Sequence, residues 1–119
     1  MIRTSRRNAL GLVGAFAALP AAAQTPSFPS RPIRLIVPHA PGGNSDTFGR
    51  ILAQKLTERV GQQVVVENRP GAGGTVGSAL VAKAPADGYT LLFNASTFTT
   101  GPMVVKSAPY DVNRDFTPI

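Results

Sequence analysis

The sequence contains no cysteine and no tryptophan, and it has a single histidine, His39. The absence of cysteine excludes disulfides, thiolate–metal sites and cysteine nucleophiles. One histidine cannot build a multi-histidine metal site, so we expect neither a metal nor another cofactor. Acidic residues are also scarce, with six Asp and Glu against twelve Lys and Arg. This balance favours a small anionic partner.

The first 23 residues have the pattern of a signal peptide. Arg3, Arg6 and Arg7 precede an apolar run from Ala9 to Leu19, and the small residues after it predict cleavage following Ala23. The run is shorter than the roughly 20 apolar residues that a membrane span needs. The pattern therefore predicts export to the periplasm, and the adjacent arginines leave both Sec and twin-arginine export open.

Removal of this segment takes away three of the twelve basic residues and none of the six acidic ones, so the net charge falls from +6 to +3. The basic residues that remain are scattered, with no run and no interleaved aromatic residues. This distribution argues against nucleic acid as a partner.

Residues 24–31 contain two prolines and are predicted to form a flexible leader, and residues 32–119 are predicted to form part of one α/β domain. Strands are predicted at Ile33–Val37, at 64–66 and at 89–94, with helices between them from about Asp46 to Gly61 and from about 75 to Pro85. A third helix is predicted to begin near 96–101, and a turn is predicted at 108–111. Strand–helix alternation with short connections predicts a parallel sheet.

The first predicted helix carries one continuous apolar stripe at helical spacing, which predicts the face that packs on the sheet. Its members are Phe48, Ile51, Leu52, Leu56 and Val60.

The loop after the first predicted strand has chemistry suited to a carboxylate. Gly42 and Gly43 leave backbone N–H groups unobstructed, and the helix that follows presents unpaired N–H groups at its positive end. Asn44 and Ser45 either add side-chain donors or serve only as helix caps, and on pattern alone capping is favoured.

Four further polar residues each have two interpretations. Asp46 would repel an anionic ligand, so we favour a role in capping or balancing the helix dipole over contact with a ligand amine or water. Ser96 and Thr97 follow the third predicted strand, where hydroxyl groups suit either a second carboxylate or a turn. His39 has no carboxylate near it in sequence, so packing is favoured over catalysis.

The run from Gly71 to Gly77 does not satisfy a dinucleotide-binding fingerprint. Its sixth position is Val76 where the fingerprint needs glycine, and the next predicted strand ends on Asn94 where an acidic residue is needed. The pattern of a phosphate-binding P-loop is also missing. These glycines are predicted to allow a tight turn and close helix–strand packing.

Three sequence segments in a fixed order, at 37–46, 61–74 and 85–92, resemble the N-terminal part of the solute-binding proteins of tripartite tricarboxylate transporters, the Bug or TctC type. The resemblance implies a type II periplasmic-binding-protein lobe with strand order 2-1-3, and a crevice between strands one and three. It places the 71–74 loop further from that crevice. The ligand-binding residues it implies are Ala40, Pro41, Gly42, Gly43, Asn44, Ser45, Asp46, Ser96 and Thr97.

The resemblance further implies a non-enzymatic, monomeric carrier that captures a small organic carboxylate and delivers it to membrane permease subunits. It also implies that this chain is the first part of a two-lobed protein about three times as long, with the second lobe absent. A ligand sensor for a two-component system would use the same residues. An exported hydrolase is disfavoured, because no Gly-x-Ser-x-Gly elbow is present.

Overall fold

The computed structural model describes residues 27–105 and 107–119, so the predicted signal peptide lies outside the described residues. Three strands and three helices alternate along the chain, as predicted, and a short 3-10 turn precedes the second helix. The elements are β1 Ile33–Val37, α1 Asn44–Val60, β2 Val64–Asn68, the 3-10 turn Ala72–Gly74, α2 Thr75–Ala82, β3 Thr90–Leu92 and α3 Thr97–Val104.

The three strands form one parallel sheet in the order β2-β1-β3, which confirms the predicted order. In register, Leu35 at the centre of β1 lies between Val66 of β2 and Leu91 of β3. Because β1 is flanked on both sides and covered on both faces, its side chains form a nearly continuous apolar run. Leu35, Ile36 and Val37 are all fully or almost fully buried.

The two crossover helices lie on opposite faces of the sheet. Ala53 of α1 belongs to the core cluster with Ile33 and Leu35, whereas Gly77 of α2 lies against Pro38. Successive strand residues point to opposite faces, so residues 33 and 35 mark one face and residue 38 marks the other. This arrangement is the doubly wound α/β fold, and it leaves the carboxyl edge of the sheet free for loops.

The predicted packing face of α1 is partly wrong. Phe48 and Ile51 expose 62% and 54% of their surface, whereas Gly49 and Ala53 are buried. A Cβ at Gly49 would lie 2.9 Å from Cγ2 of Val37, so the helix approaches the sheet more closely than a large side chain permits. The face that packs therefore runs through the small residues, and only the C-terminal members of the predicted stripe pack against the core.

The end of the predicted leader contacts the domain. The Ser30 N–H donates to the Tyr89 hydroxyl at 2.8 Å, and the Phe28 ring lies edge-on to Tyr89 at 5.1 Å. The Arg31 guanidinium lies 3.9 Å from the centre of the Tyr89 ring and forms an ion pair with Asp87. Residues 28–31 are thus held at the start of β3.

An aromatic cluster joins the end of the described chain to α3. Tyr110 is buried, stacks on Phe98 at 5.6 Å and donates a hydrogen bond to the Phe98 carbonyl at 3.1 Å. Phe116 packs edge-on against both rings. Within residues 27–105 and 107–119, no helix has the length and apolarity that crossing a bilayer requires.

Candidate functional site

Turns from all three strands meet at the carboxyl edge of the sheet. A Cβ placed on Gly74 would lie 3.6 Å from Pro38 and 3.7 Å from both His39 and Asn94. The prediction that the 71–74 loop lies away from the crevice is therefore wrong. Gly71 and Gly74 have φ values of 139° and 93°, and these positive angles fold the turn back over the end of β1.

The N-terminus of α1 opens directly on this edge. Gly43 is the cap residue, and it has no side chain with which to form a capping hydrogen bond. The interpretation of Asn44 and Ser45 as cap residues is thus wrong, because they occupy the first two helical positions. Residues 40–44 are exposed. The backbone N–H groups of the first helical turn have no intrahelical partners and remain available.

This geometry predicts that neither polar side chain at the helix start matters for stability. Asn44→Ala and Ser45→Ala should each change the free energy of unfolding by less than about 0.5 kcal/mol, because no capping bond is lost. A capping residue would instead cost about 1 kcal/mol on replacement by alanine. Urea denaturation of both variants distinguishes a capping residue from one without a capping bond. A fall of about 1 kcal/mol in the free energy of unfolding would contradict the structure.

Asp46 holds the loop between β1 and α1 in place through hydrogen bonds. Asp46 is 4% exposed, and its carboxylate accepts hydrogen bonds from the Gly42 N–H at 2.9 Å, from Arg50 Nε at 3.1 Å and from Asn68 Nδ2 at 2.9 Å. These three donors, led by the Gly42 N–H, lower the pKa of Asp46 to about 2. The carboxylate is fully engaged in holding the loop that precedes α1, in agreement with the favoured charge-balancing role at the helix start.

Two asparagines at strand ends connect the loops, and neither was among the predicted site residues. Asn68, the last residue of β2, donates to the His39 carbonyl at 3.1 Å as well as to Asp46. Asn94 follows β3 and donates to the Ser78 hydroxyl at 3.0 Å, which in turn donates to the Gly74 carbonyl at 2.8 Å. An amide at or near the carboxyl end of a parallel strand was the available signal for both.

Asn94 joins the loop after β3, which contains Ser96 and Thr97, to the loop after β1. His39 Nε2 lies 3.0 Å from Asn94 Oδ1, and the Thr97 hydroxyl donates to the same oxygen at 3.3 Å. Ser96 is exposed at the cap position of α3, where no side-chain capping bond forms. The structure therefore brings residues 40–46, Ser96 and Thr97 to one edge of the sheet.

The acidic group on β2 nearest this edge is also paired. Glu67 accepts from Arg34 Nε at 2.7 Å and Nη2 at 2.9 Å, and from Arg69 Nη2 at 3.1 Å. The Arg34 hydrogen bond is the main cause that lowers the pKa of Glu67 to about 2. Asp46 and Glu67 are thus both ionised and neutralised by arginines, so neither offers a free negative charge at this edge.

A separate shallow groove of about 500 Å³ lies between α1 and the edge strand β2. It shares Arg50 with the Asp46 network, but it contains none of the predicted ligand residues. We therefore place the candidate site at the carboxyl edge, where the helix N-termini and the loops converge.

The strand order and the loops at its reversal point define a lobe of the periplasmic-binding-protein class. The family model of the tripartite tricarboxylate transporter family receptor matches residues 48–119. The chain belongs to this family, the TctC or Bug type, as the three segments at 37–46, 61–74 and 85–92 predicted.

Similar proteins agree with this assignment. Protein BugT of Bordetella pertussis is 43% identical over 92% of this chain, and a protein from the tcbD-tcbE intergenic region of Pseudomonas sp. (strain P51) is 50% identical over 78%. The chain spans 34% and 28% of these two relatives, about a third of their length.

Two solved structures also match. The periplasmic binding protein BugD has 43% identity and a TM-score of 0.69, and the R. palustris protein Rpa4515 with adipate has 38% identity and a TM-score of 0.68. Each match covers 71% of this chain and 28% of the other.

Proposed function

We propose that this chain forms the first face of the ligand crevice in an extracytoplasmic solute-binding protein that captures a small organic carboxylate. The observation that carries the proposal is the meeting of the β1 and β3 loops at the reversal of strand order, where α1 begins without a side-chain cap. Unpaired N–H groups at the positive end of a helix are suited to a carboxylate. Family membership and the adipate-bound relative support the same ligand class.

In this proposal the loop from Ala40 to Ser45 receives one carboxylate through its backbone, and Ser96 and Thr97 provide hydroxyls on the opposite side. Asp46 holds the loop and does not contact the ligand, because its three hydrogen bonds already engage the carboxylate. Both acidic groups near this edge are paired with arginines, so an organic anion is favoured over a ligand bound through an ammonium group.

The binding free energy that one face can supply favours capture of the ligand between two lobes. A helix N-terminus contributes roughly 0.3–2 kcal/mol to a bound anion, and a charge-assisted hydrogen bond adds roughly 1.5–3 kcal/mol before association costs. Micromolar affinity needs about 8 kcal/mol net. One open face in water does not reach that figure, so we propose that a second lobe closes over the ligand and excludes water.

The proposed role is that of a monomeric periplasmic carrier that delivers its ligand to permease subunits, with export directed by residues 1–23. A sensory role in a two-component system would use the same ligand face. Deletion of the permease genes separates the two, because a carrier then loses uptake of its ligand while a sensor keeps its transcriptional response.

The direct test is a thermal-shift screen of the purified full-length protein against mono-, di- and tricarboxylates, with adipate in the panel. We expect at least one acid to raise Tm, since ligand at 100 times Kd stabilises by about 2.7 kcal/mol. The matched control is the uncharged diamide of the same acid, which should have no effect. Absence of any shift across the panel would overturn the proposed function.

A further inference from the structure

The amide of Asn94 can be oriented unambiguously from its neighbours. The Ala95 N–H lies 2.8 Å from one amide atom, and a backbone N–H only donates, so that atom is the oxygen Oδ1. The nitrogen Nδ2 then faces the fully buried Ser78 hydroxyl, whose own proton is given to the Gly74 carbonyl. Reversing the amide would place two donors against each other at Ala95.

This orientation determines which nitrogen of His39 carries a proton. His39 Nε2 lies 3.0 Å from Asn94 Oδ1, and an oxygen that only accepts requires a donor there. Nε2 is therefore protonated, and in the neutral ring Nδ1 is an acceptor with a free lone pair. We name this contact the His39–Asn94 bridge, because it joins the loop after β1 to the loop after β3.

The other ring nitrogen of His39 is open to solvent. Among the described residues no hydrogen bond involves Nδ1, and no buried side-chain nitrogen or oxygen there lacks a partner. Nδ1 is thus an accessible acceptor on a half-buried ring between two of the converging turns. His39 directly precedes the exposed residues 40–44 that lead into α1, so this acceptor belongs to the same loop as the N–H donors at the start of the helix.

We propose that His39 is a specificity-determining residue that selects carboxylates bearing a hydroxyl group, with the ligand hydroxyl donating to Nδ1. The inference rests on the proposed carboxylate function and adds the ligand subclass. The His39–Asn94 bridge keeps Nε2 protonated and leaves Nδ1 as the acceptor. A diacid without a hydroxyl leaves that acceptor unpaired on binding, which weakens its complex.

Two matched ligand pairs test the selection by calorimetry on the full-length protein. The pairs are malate with succinate, and 2-hydroxyadipate with adipate, using both enantiomers of each hydroxy acid. We expect one hydroxy acid to bind about 5–10-fold more tightly than its partner, the ratio that one hydrogen bond supplies. Equal affinities would overturn the selection and leave the proposed function standing. Absence of binding by either pair while other acids bind would also overturn it, and failure of every acid would overturn both proposals.

Two variants separate the bridge from the acceptor. His39→Gln places an amide N–H near the position of Nε2 but has no equivalent of Nδ1, so the preference for the hydroxy acid should fall to about one while binding of the plain diacid persists. His39→Phe retains an aromatic ring and loses both nitrogens, so both acids should bind more weakly. An unchanged preference in His39→Gln would overturn the role of Nδ1.

A measurement without ligand tests the bridge itself. The sequence has one histidine, so the imidazole ¹⁵N spectrum reports on His39 alone. We expect Nε2 to be protonated and its proton to exchange slowly enough with water to be detected, and we expect Asn94→Ala to abolish that signal. A proton on Nδ1 in the neutral wild-type ring would overturn the bridge, whatever the variant does.

Discussion

Gly77→Ala is expected to destabilise the fold strongly, even though alanine is the better helix former. A Cβ at position 77 would lie 2.7 Å from Pro38 Cβ, 3.0 Å from Pro38 Cα and 2.8 Å from the Arg69 carbonyl oxygen. Two of these three atoms belong to the backbone and cannot rotate away. Overpacking costs about 1–3 kcal/mol, occasionally more, which exceeds the roughly 1 kcal/mol that alanine gains over glycine in a helix.

Gly101→Ala is the matched control, since it is also a glycine within a helix. Its added Cβ would meet only ordinary contacts, 3.5 Å from the Tyr110 hydroxyl and 3.8 Å from Thr75 Oγ1. We expect this variant to be as stable as the wild type or more stable by about 0.5–1 kcal/mol. Urea denaturation gives the free energy of unfolding of both variants. Equal values for Gly77→Ala and Gly101→Ala would show that α2 can shift away from β1.

The Gly77 variant should also weaken ligand binding. Ser78 follows directly in α2 and accepts the hydrogen bond that orients Asn94. A displaced helix therefore disturbs the loop after β3 as well as the loop that contains Pro38. We expect a carboxylate that stabilises the wild type in the thermal-shift screen to give a smaller shift in Gly77→Ala, with the Gly101→Ala response unchanged.

Asp46→Asn is the second variant with a large expected effect. All three partners of the carboxylate are donors, namely the Gly42 N–H, Arg50 Nε and Asn68 Nδ2. An amide supplies one oxygen and one NH₂ group, so at least one donor faces another donor. We expect Tm to fall by roughly 5–10 °C, in the range for loss of a buried polar network in a small domain.

The same variant should remove part of the acid sensitivity of the fold. Because the folded pKa of Asp46 is lowered to about 2, its contribution is complete above the unfolded value near 3.9 and is lost as the pH falls towards 2. The Tm difference between wild type and Asp46→Asn should be full at pH 6 and small near pH 2. A difference independent of pH would contradict the role of the ionised carboxylate. Glu58→Gln is the control, as the ion pair of Glu58 with Lys55 is exposed.

The sheet was predictable because its central strand leaves few alternatives. Four apolar residues and Arg34, between two prolines, form β1, and the order of its neighbours followed from the family resemblance. The packing face of α1 was not predictable from hydrophobicity, since burial there depends on the small size of Gly49 and Ala53. Phe48 and Ile51 matched the helical period but lie on the exposed side.

The candidate site was predictable only in outline. The loops at 40–46 and 96–97 follow from glycines, polar residues and the strand order. The position of the 71–74 turn depends on positive φ angles, and glycine permits these angles without requiring them. The contacts of Asn68 and Asn94 with His39 span 29 and 55 residues, a separation at which no local pattern predicts pairing.

The docking of residues 28–31 on Tyr89 has a practical consequence for handling the protein. Tyr89 immediately precedes β3, so the chain enters the domain at the amino edge of the sheet, opposite the edge that carries His39 and the start of α1. A dye, a biotin or a surface linkage attached just before residue 27 therefore leaves the opposite edge unobstructed. Tests of the proposed carboxylate binding on an immobilised protein should therefore attach it by this end of the chain.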